Sequence, residues 1–282
     1  MSDEEEEEWE YEEEEEEERA PRRPKKVAEG DDPLKRSLAL GYLAMAPLFL
    51  AYEMALATSS GNRRNTSELV LFRIFALFGE WADVARRSAL VIGIVLALVY
   101  CLRKHFALGP RILRIVCEGA LGAIVLGPLL VGLLRLFGDW LPAIELSGAP
   151  SQVPGLERAA LVTGAGAYEE LVFRVGAYSI MFLACRSLAG FFGAAGRAAH
   201  WVGEVGGLIG SAALFSAFHL ALFVAWLGPG GESFEPAVFT YRFLAGILLG
   251  VLFRWRGPGV AGWTHGLFNL ALLLGAGPDV FL

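Results

Sequence analysis

Apolar residues in this chain fall in long unbroken runs, not in the period-two alternation of a half-buried strand or the narrow stripe of a water-facing helix. Seven runs are long enough, or nearly so, to cross about 30 Å of hydrocarbon: 38–57, 88–102, 112–137, 159–185, 206–227, 237–253 and 260–276. Backbone groups inside a bilayer must be satisfied within their own segment, so runs of this length are read as helices. The pattern predicts an all-α, polytopic transmembrane helix bundle of about seven spans. Between the first two runs, residues 68–84 mix Leu69, Val70, Phe72, Ile74, Phe75 and Phe78 with Arg73, Glu80 and Asp83, a pattern that predicts an interfacial amphipathic helix.

Before the first run the character reverses. Asp3 to Asp32 holds 17 of the 31 acidic residues, with Trp9 and Tyr11 interspersed. A stretch so charged and so poor in aliphatic residues is expected to be disordered. Arg19, Arg22, Arg23, Lys25, Lys26, Lys35 and Arg36 follow it, and basic residues just ahead of a span favour a cytoplasmic N-terminus. No secretory signal is expected, since the start is acidic and the first apolar run begins near Leu38. The formal net charge of -7 belongs to this tail, because the residues after Arg36 carry 14 acidic against 17 basic side chains.

That arithmetic changes the list of partners. A 55% hydrophobic chain with basic residues only at loop ends has a lipid bilayer as its environment and no nucleic acid among its partners. Arg103, Lys104, Arg186, Arg197, Arg254 and Arg256 fall on the side of the basic N-terminal stretch, and Asp139, Glu145, Glu232 and Glu235 on the other. Arg63, Arg64, Arg86 and Arg87 conflict with this alternation. Cys101, Cys117 and Cys185 sit in apolar runs at no ligand or disulfide spacing and read as small core residues.

Polar groups inside spans are costly and mark function. The fourth run contains Ala-Tyr-Glu-Glu-Leu-Val-Phe-Arg, which places Glu169, Glu170 and Arg174 well inside it. Three ionised side chains at that depth oppose insertion by roughly 2.5–3.5 kcal/mol each. The nine Leu, Ile, Val and Phe residues of the same run return only about 0.3–0.6 kcal/mol each. The charges must therefore be matched within the bundle. Glu170 and Arg174 share a face at i,i+4, with the acid on the preferred N-terminal side. Glu169, rotated about 100° from Glu170, is expected to point elsewhere and to be free for chemistry. The fifth run carries Phe215 and His219, the seventh His265 and Asn269, each pair four residues apart. His105 and His200 lie in loop or interfacial stretches and read as surface residues, while Glu53, Glu118 and Arg242 lie near predicted span ends and read as structural.

Glu-Glu-x-x-x-Arg at 169–174, Phe-x-x-x-His at 215–219 and His-x-x-x-Asn at 265–269, in that order, resemble the CPBP family of intramembrane proteases. That family includes the CAAX prenyl endopeptidases and bacterial relatives of the abortive-infection (ABI) type. The resemblance covers about 148–276. It divides the chain into a tail at 1–36, N-terminal transmembrane helices at 37–147 and a CPBP-like catalytic core at 148–277. It implies hydrolysis of a peptide bond inside or at the edge of the membrane. Glu169 is then the general base for a water that His219 helps orient, and His265 with Asn269 donates to the developing oxyanion. Glu170 and Arg174 brace the site beside Phe215. The preferred mechanism uses no cofactor. Zinc remains open, because Glu169, His219 and His265 would make a three-ligand set, although His-Glu-x-x-His spacing is absent.

The implied substrates are membrane-anchored proteins or peptides cut near a C-terminal or membrane-proximal segment. Ala-, Gly- and Arg-rich usage suggests a bacterial inner membrane as the location of this multi-pass protein. Two other classes stand beside this reading. One is a non-catalytic scaffold or immunity protein that binds transmembrane segments. The other is a proton-coupled transporter, which predicts paired halves with interrupted helices that the sequence does not show.

Overall fold

The computed structural model describes residues 33–59, 64–136, 155–227 and 231–274. Residues 1–32 of the expected tail, Arg63, Asp139, Glu145 and the 147/148 boundary lie outside them, whereas the last four residues of that tail, Pro33–Arg36, are helical and begin α1 instead of being disordered. The chain divides into Met1–Lys35 and Arg36–Leu282, and the second unit builds the helix bundle. Its elements are α1 (Pro33–Thr58), α2 (Thr66–Ile74), a 3₁₀ stretch (Phe75–Trp81), α3 (Ala82–Arg103), α4 (Leu108–Arg135), α5 (Gly155–Glu170), a π-helical stretch (Leu171–Tyr178), α6 (Ser179–Phe191), α7 (Gly196–Ala217), the single turn α8 (Ala221–Val224), α9 (Pro236–Arg256) and α10 (Pro258–Leu273). Among the described residues there is no strand, and one isolated bridge joins Leu220 to Glu232.

Five segments are long and apolar enough to cross a membrane: Leu38–Thr58, Thr66–Arg103, Leu108–Arg135, Gly155–Phe191 and Pro236–Arg256. This is a multi-pass integral membrane protein, with five such segments among the described residues where the apolar runs suggested about seven. The two runs that drop out do so for different reasons. α7 carries Arg197, His200 and Glu204 in its first half, and it stops at Ala217 instead of running on to Leu227. α10 has only 16 residues, about 24 Å at 1.5 Å per residue. Most of α10 is buried against α4, α5 and α9, so its apolar character answers to protein and not to lipid.

The expected amphipathic helix at 68–84 is also corrected. α2 ends at Ile74, the backbone tightens into the 3₁₀ stretch, and Gly79 at φ 58° turns the chain into α3. Leu77, Phe78 and Trp81 are exposed, as a membrane-contacting surface requires, but Ser67 and Glu68 are buried in the bundle. The cysteines differ too: only Cys101 is buried, whereas Cys117 is exposed and Cys185 intermediate.

Three contacts fix where the C-terminal end of α5 lies. Met45, Phe49 and Tyr52 of α1 pack on Ala167 and Tyr168, with ring centroids of Phe49 and Tyr52 5.0 and 4.9 Å from that of Tyr168. α10 is held in rotation by Trp263 Nε1 donating to the Ala44 carbonyl at 2.7 Å and Thr264 Oγ1 donating to that of Gly119 at 3.1 Å. α5 and α10 then approach at two glycines: a Cβ on Gly166 would sit 2.6 Å from Gly266 N, and one on Gly266 would sit 2.5 Å from the Thr163 carbonyl oxygen. Backbone cannot yield as a side-chain tip can, so Gly166→Ala is expected to force the helices apart at a cost of about 1–3 kcal/mol. A lowered thermal midpoint in detergent would show this, and an unchanged midpoint would mean the two helices slide freely.

Candidate active site

α5 ends in Tyr168, Glu169 and Glu170, all buried. The next eight residues wind as a π-helix, a wider turn that often accompanies functional sites and places Phe173 and Arg174 in the core. Arg174 is fully buried, with Nε 3.4 Å from Glu170 Oε2 and its guanidinium carbon 5.1 Å from the Phe215 ring centre. None of its three nitrogens has a hydrogen-bond partner among the described residues. Phe215 links the elements: its ring contacts Phe173, His219 and His265 at centroid distances of 5.4, 5.1 and 5.6 Å.

His265 of α10 stands between the two glutamates. Its Nδ1 lies 2.9 Å from Glu170 Oε1 and its Nε2 3.3 Å from Glu169 Oε2. Glu169 therefore does not point away from Glu170, as helical rotation alone suggested; both carboxylates reach the same imidazole, from opposite sides. His219 is not on a helix. α7 has ended at Ala217, and His219 lies in the following turn, where its Nδ1 meets the Phe215 carbonyl oxygen at 2.8 Å. A carbonyl only accepts, so Nδ1 carries the proton and Nε2 of the neutral ring is an acceptor. This turn is pinned by Glu232 N donating to the His219 carbonyl at 2.8 Å and by Ala221 N donating to that of Glu232 at 2.9 Å. Arg242 grips Glu232 through both terminal nitrogens at 2.6 and 2.8 Å and holds its carboxyl below the usual carboxylate range. Asn269 is half-buried one turn beyond His265, with no side-chain partner among the described residues.

Four residues that sequence reasoning did not select adjoin this cluster. Asn65, the N-cap of α2, donates from Nδ2 to Glu169 Oε1 at 2.8 Å. Behind it, Glu68 and Arg86 are buried in an ion-pair network with Glu53, Arg64 and Asp83: Arg86 reaches Glu53 at 2.7 Å, Glu68 at 2.9 Å and Asp83 at 3.1 Å. Tyr168 donates to Glu53 and accepts from Arg86 at 3.0 Å. Arg87 joins through Glu53 and Asp83. Arg64, Arg86 and Arg87, which conflicted with the loop-charge alternation, are thus committed to buried or half-buried acids. Asn65 and Ser67 carry a capping signal in the sequence, but nothing local connects that cap to position 169. His105 and His200 are exposed as expected, and His200 faces Glu204 at 3.3 Å.

Among the described residues, no three His, Cys, Asp or Glu side chains gather in a metal-holding arrangement, and Glu169, His219 and His265 do not converge as one. Both His265 nitrogens face carboxylates. An apolar cavity of about 680 Å³ adjoins the His219 turn, lined by Met181, Leu214, Leu220, Phe223 and Phe239 with Glu232 at its edge.

Multi-pass helices around a buried Glu-Glu-His cluster define an integral membrane protein with a polar cluster enclosed by its bundle. Residues 152–271 match the family model described as Type II CAAX prenyl endopeptidase Rce1-like. No curated protein matches the chain, and no solved structure does.

Proposed function

We propose that this chain is an intramembrane endopeptidase that hydrolyses a peptide bond near the C-terminal or membrane-proximal part of a membrane-anchored protein or peptide. The observation that carries the reading is the Glu169–His265–Glu170 contact inside the matched domain. A water between Glu169 and His219 Nε2 would find an acceptor for each of its protons, leaving an oxygen lone pair for the substrate carbonyl carbon. Glu169 takes one proton as the carbon–oxygen bond forms. His265, oriented by Glu170 at Nδ1, turns Nε2 towards the same reacting centre, and Asn269 supplies an amide donor to the oxyanion. Glu169 then passes its proton to the amine as the carbon–nitrogen bond breaks. Because the three side chains that could have held zinc, Glu169, His219 and His265, do not converge among the described residues, no step is routed through a metal.

The apolar cavity beside His219 supports a substrate with a hydrophobic anchor, and the match to a prenyl endopeptidase family model suggests a prenyl group as one such anchor. A cytoplasmic N-terminus in a bacterial inner membrane agrees with the exposed basic residues Arg103, Lys104, Arg186 and Arg197 at helix ends. The test is full-length protein reconstituted in phospholipid vesicles with a fluorogenic peptide carrying a farnesylated cysteine near its C-terminus, and with the same peptide unmodified. Cleavage of either establishes the endopeptidase, and the ratio of the two rates reports the anchor. The reading is overturned if neither is cut and no C-terminus changes in membranes of cells that make the protein; the scaffold would then stand, or the transporter if the vesicles show proton flux.

A further inference from the structure

Glu169 enters the bundle on α5, yet one of its two oxygens is held from outside the matched domain. Asn65 Nδ2 donates to Glu169 Oε1 at 2.8 Å across 104 residues of chain. The amide cannot turn round, because its Oδ1 accepts from Ser67 N at 2.8 Å; exchanging oxygen and nitrogen would set acceptor against carboxylate and donor against N–H. The backbone of Asn65 is fixed as well, since its N–H donates to Tyr52 Oη at 2.7 Å, and Tyr52 is buried with its ring on Tyr168. α2 itself is anchored one turn later by Glu68, which Arg64 reaches at 2.6 Å and Arg86 at 2.9 Å. The donor is therefore aimed by two hydrogen bonds and a buried ion-pair network.

From this geometry we infer that Asn65 is a positioning residue for the reaction of the proposed site: it fixes the rotation of the Glu169 carboxylate so that Oε2 faces His265 and the attacked bond. Without that donor, Glu169 keeps its place on α5 but its terminal torsion is released, a soft two-fold rotor. Misplacement of a reacting group by about 1 Å costs on the order of 100-fold in rate. The inference rests on the endopeptidase reading.

The cap and the carboxylate contact can be separated by substitution. Serine caps helices about as well as asparagine and glycine only slightly less well, so Asn65→Ser and Asn65→Gly leave the start of α2 nearly intact, while glycine has no side-chain donor and the serine hydroxyl stops one bond short of the Nδ2 position that reaches Glu169. With the reconstituted full chain and the farnesylated peptide as probe, both variants are expected to keep a near-wild-type thermal midpoint and KM and to lose about 10- to 100-fold in kcat. Wild-type kcat in both variants, with Glu169→Gln inactive, overturns the inference and leaves the endopeptidase standing. Wild-type turnover in Glu169→Gln removes the endopeptidase's base and with it any carboxylate for Asn65 to position. A fall in thermal midpoint that tracks the fall in kcat in both variants assigns Asn65 to capping alone and also overturns it.

Discussion

Glu169→Gln is expected to abolish peptide cleavage while leaving the bundle intact. Glutamine preserves the shape of the side chain, and its amide oxygen still accepts from Asn65 Nδ2, which now holds Glu169 Oε1 at 2.8 Å. What disappears is the group that accepts a proton from water, and loss of a general base costs about 10²- to 10⁴-fold in rate. The amide nitrogen would also point at His265 Nε2, where Glu169 Oε2 now lies at 3.3 Å, and would disturb the water site directly. The measurement is kcat on the farnesylated peptide beside thermal unfolding in detergent, with mass spectrometry of membrane-protein C-termini from cells carrying each form. Tails that persist uncut only in the mutant would reveal the physiological substrates. Normal turnover would refute the base assignment.

Arg174→Ala is expected to act on folding instead. The guanidinium is fully buried beside an equally buried Glu170 at 3.4 Å and covers the face of Phe215. Removing one partner of a buried pair strands the other charge at a cost of about 3–5 kcal/mol. Here it also leaves a void in the π-helical stretch and only His265 to answer Glu170. Yield and thermal midpoint in detergent should both fall sharply, and a wild-type midpoint would show that Arg174 does not stabilise Glu170. Since the three nitrogens of Arg174 lack hydrogen-bond partners among the described residues, the pair carries an uncompensated desolvation cost. The double substitution Arg174→Met with Glu170→Gln should therefore be more stable than Arg174→Ala, because it removes both charges and refills the space.

Placing the chain among helical membrane proteins required only the one-dimensional pattern, because the length and apolarity of a run are local properties that a bilayer reads directly. The polar exceptions were legible on the same ground: Glu169, Glu170, Arg174, His219, His265 and Asn269 each stand out as a cost inside an apolar run. The count of crossing segments was not. An apolar run looks the same whether it faces lipid or, like α10, is buried in protein, and the end of α7 at Ala217 depends on Glu232 bonding the turn that follows.

The amino-acid order therefore accounts for the membrane-embedded helical class and for which side chains are chemically out of place, since composition and spacing act over a few turns. Contacts between distant residues were settled by packing. The crossing of α5 and α10 at Gly166 and Gly266 brings His265 between two carboxylates that helical rotation had separated. The clamping of α2 against α1 and α3 carries Asn65 to Glu169 and turns Arg64, Arg86 and Arg87 from surface charges into the partners of Glu53, Glu68 and Asp83. Such pairings depend on the relative rotation and depth of whole helices, which side-chain spacing within any one of them does not encode.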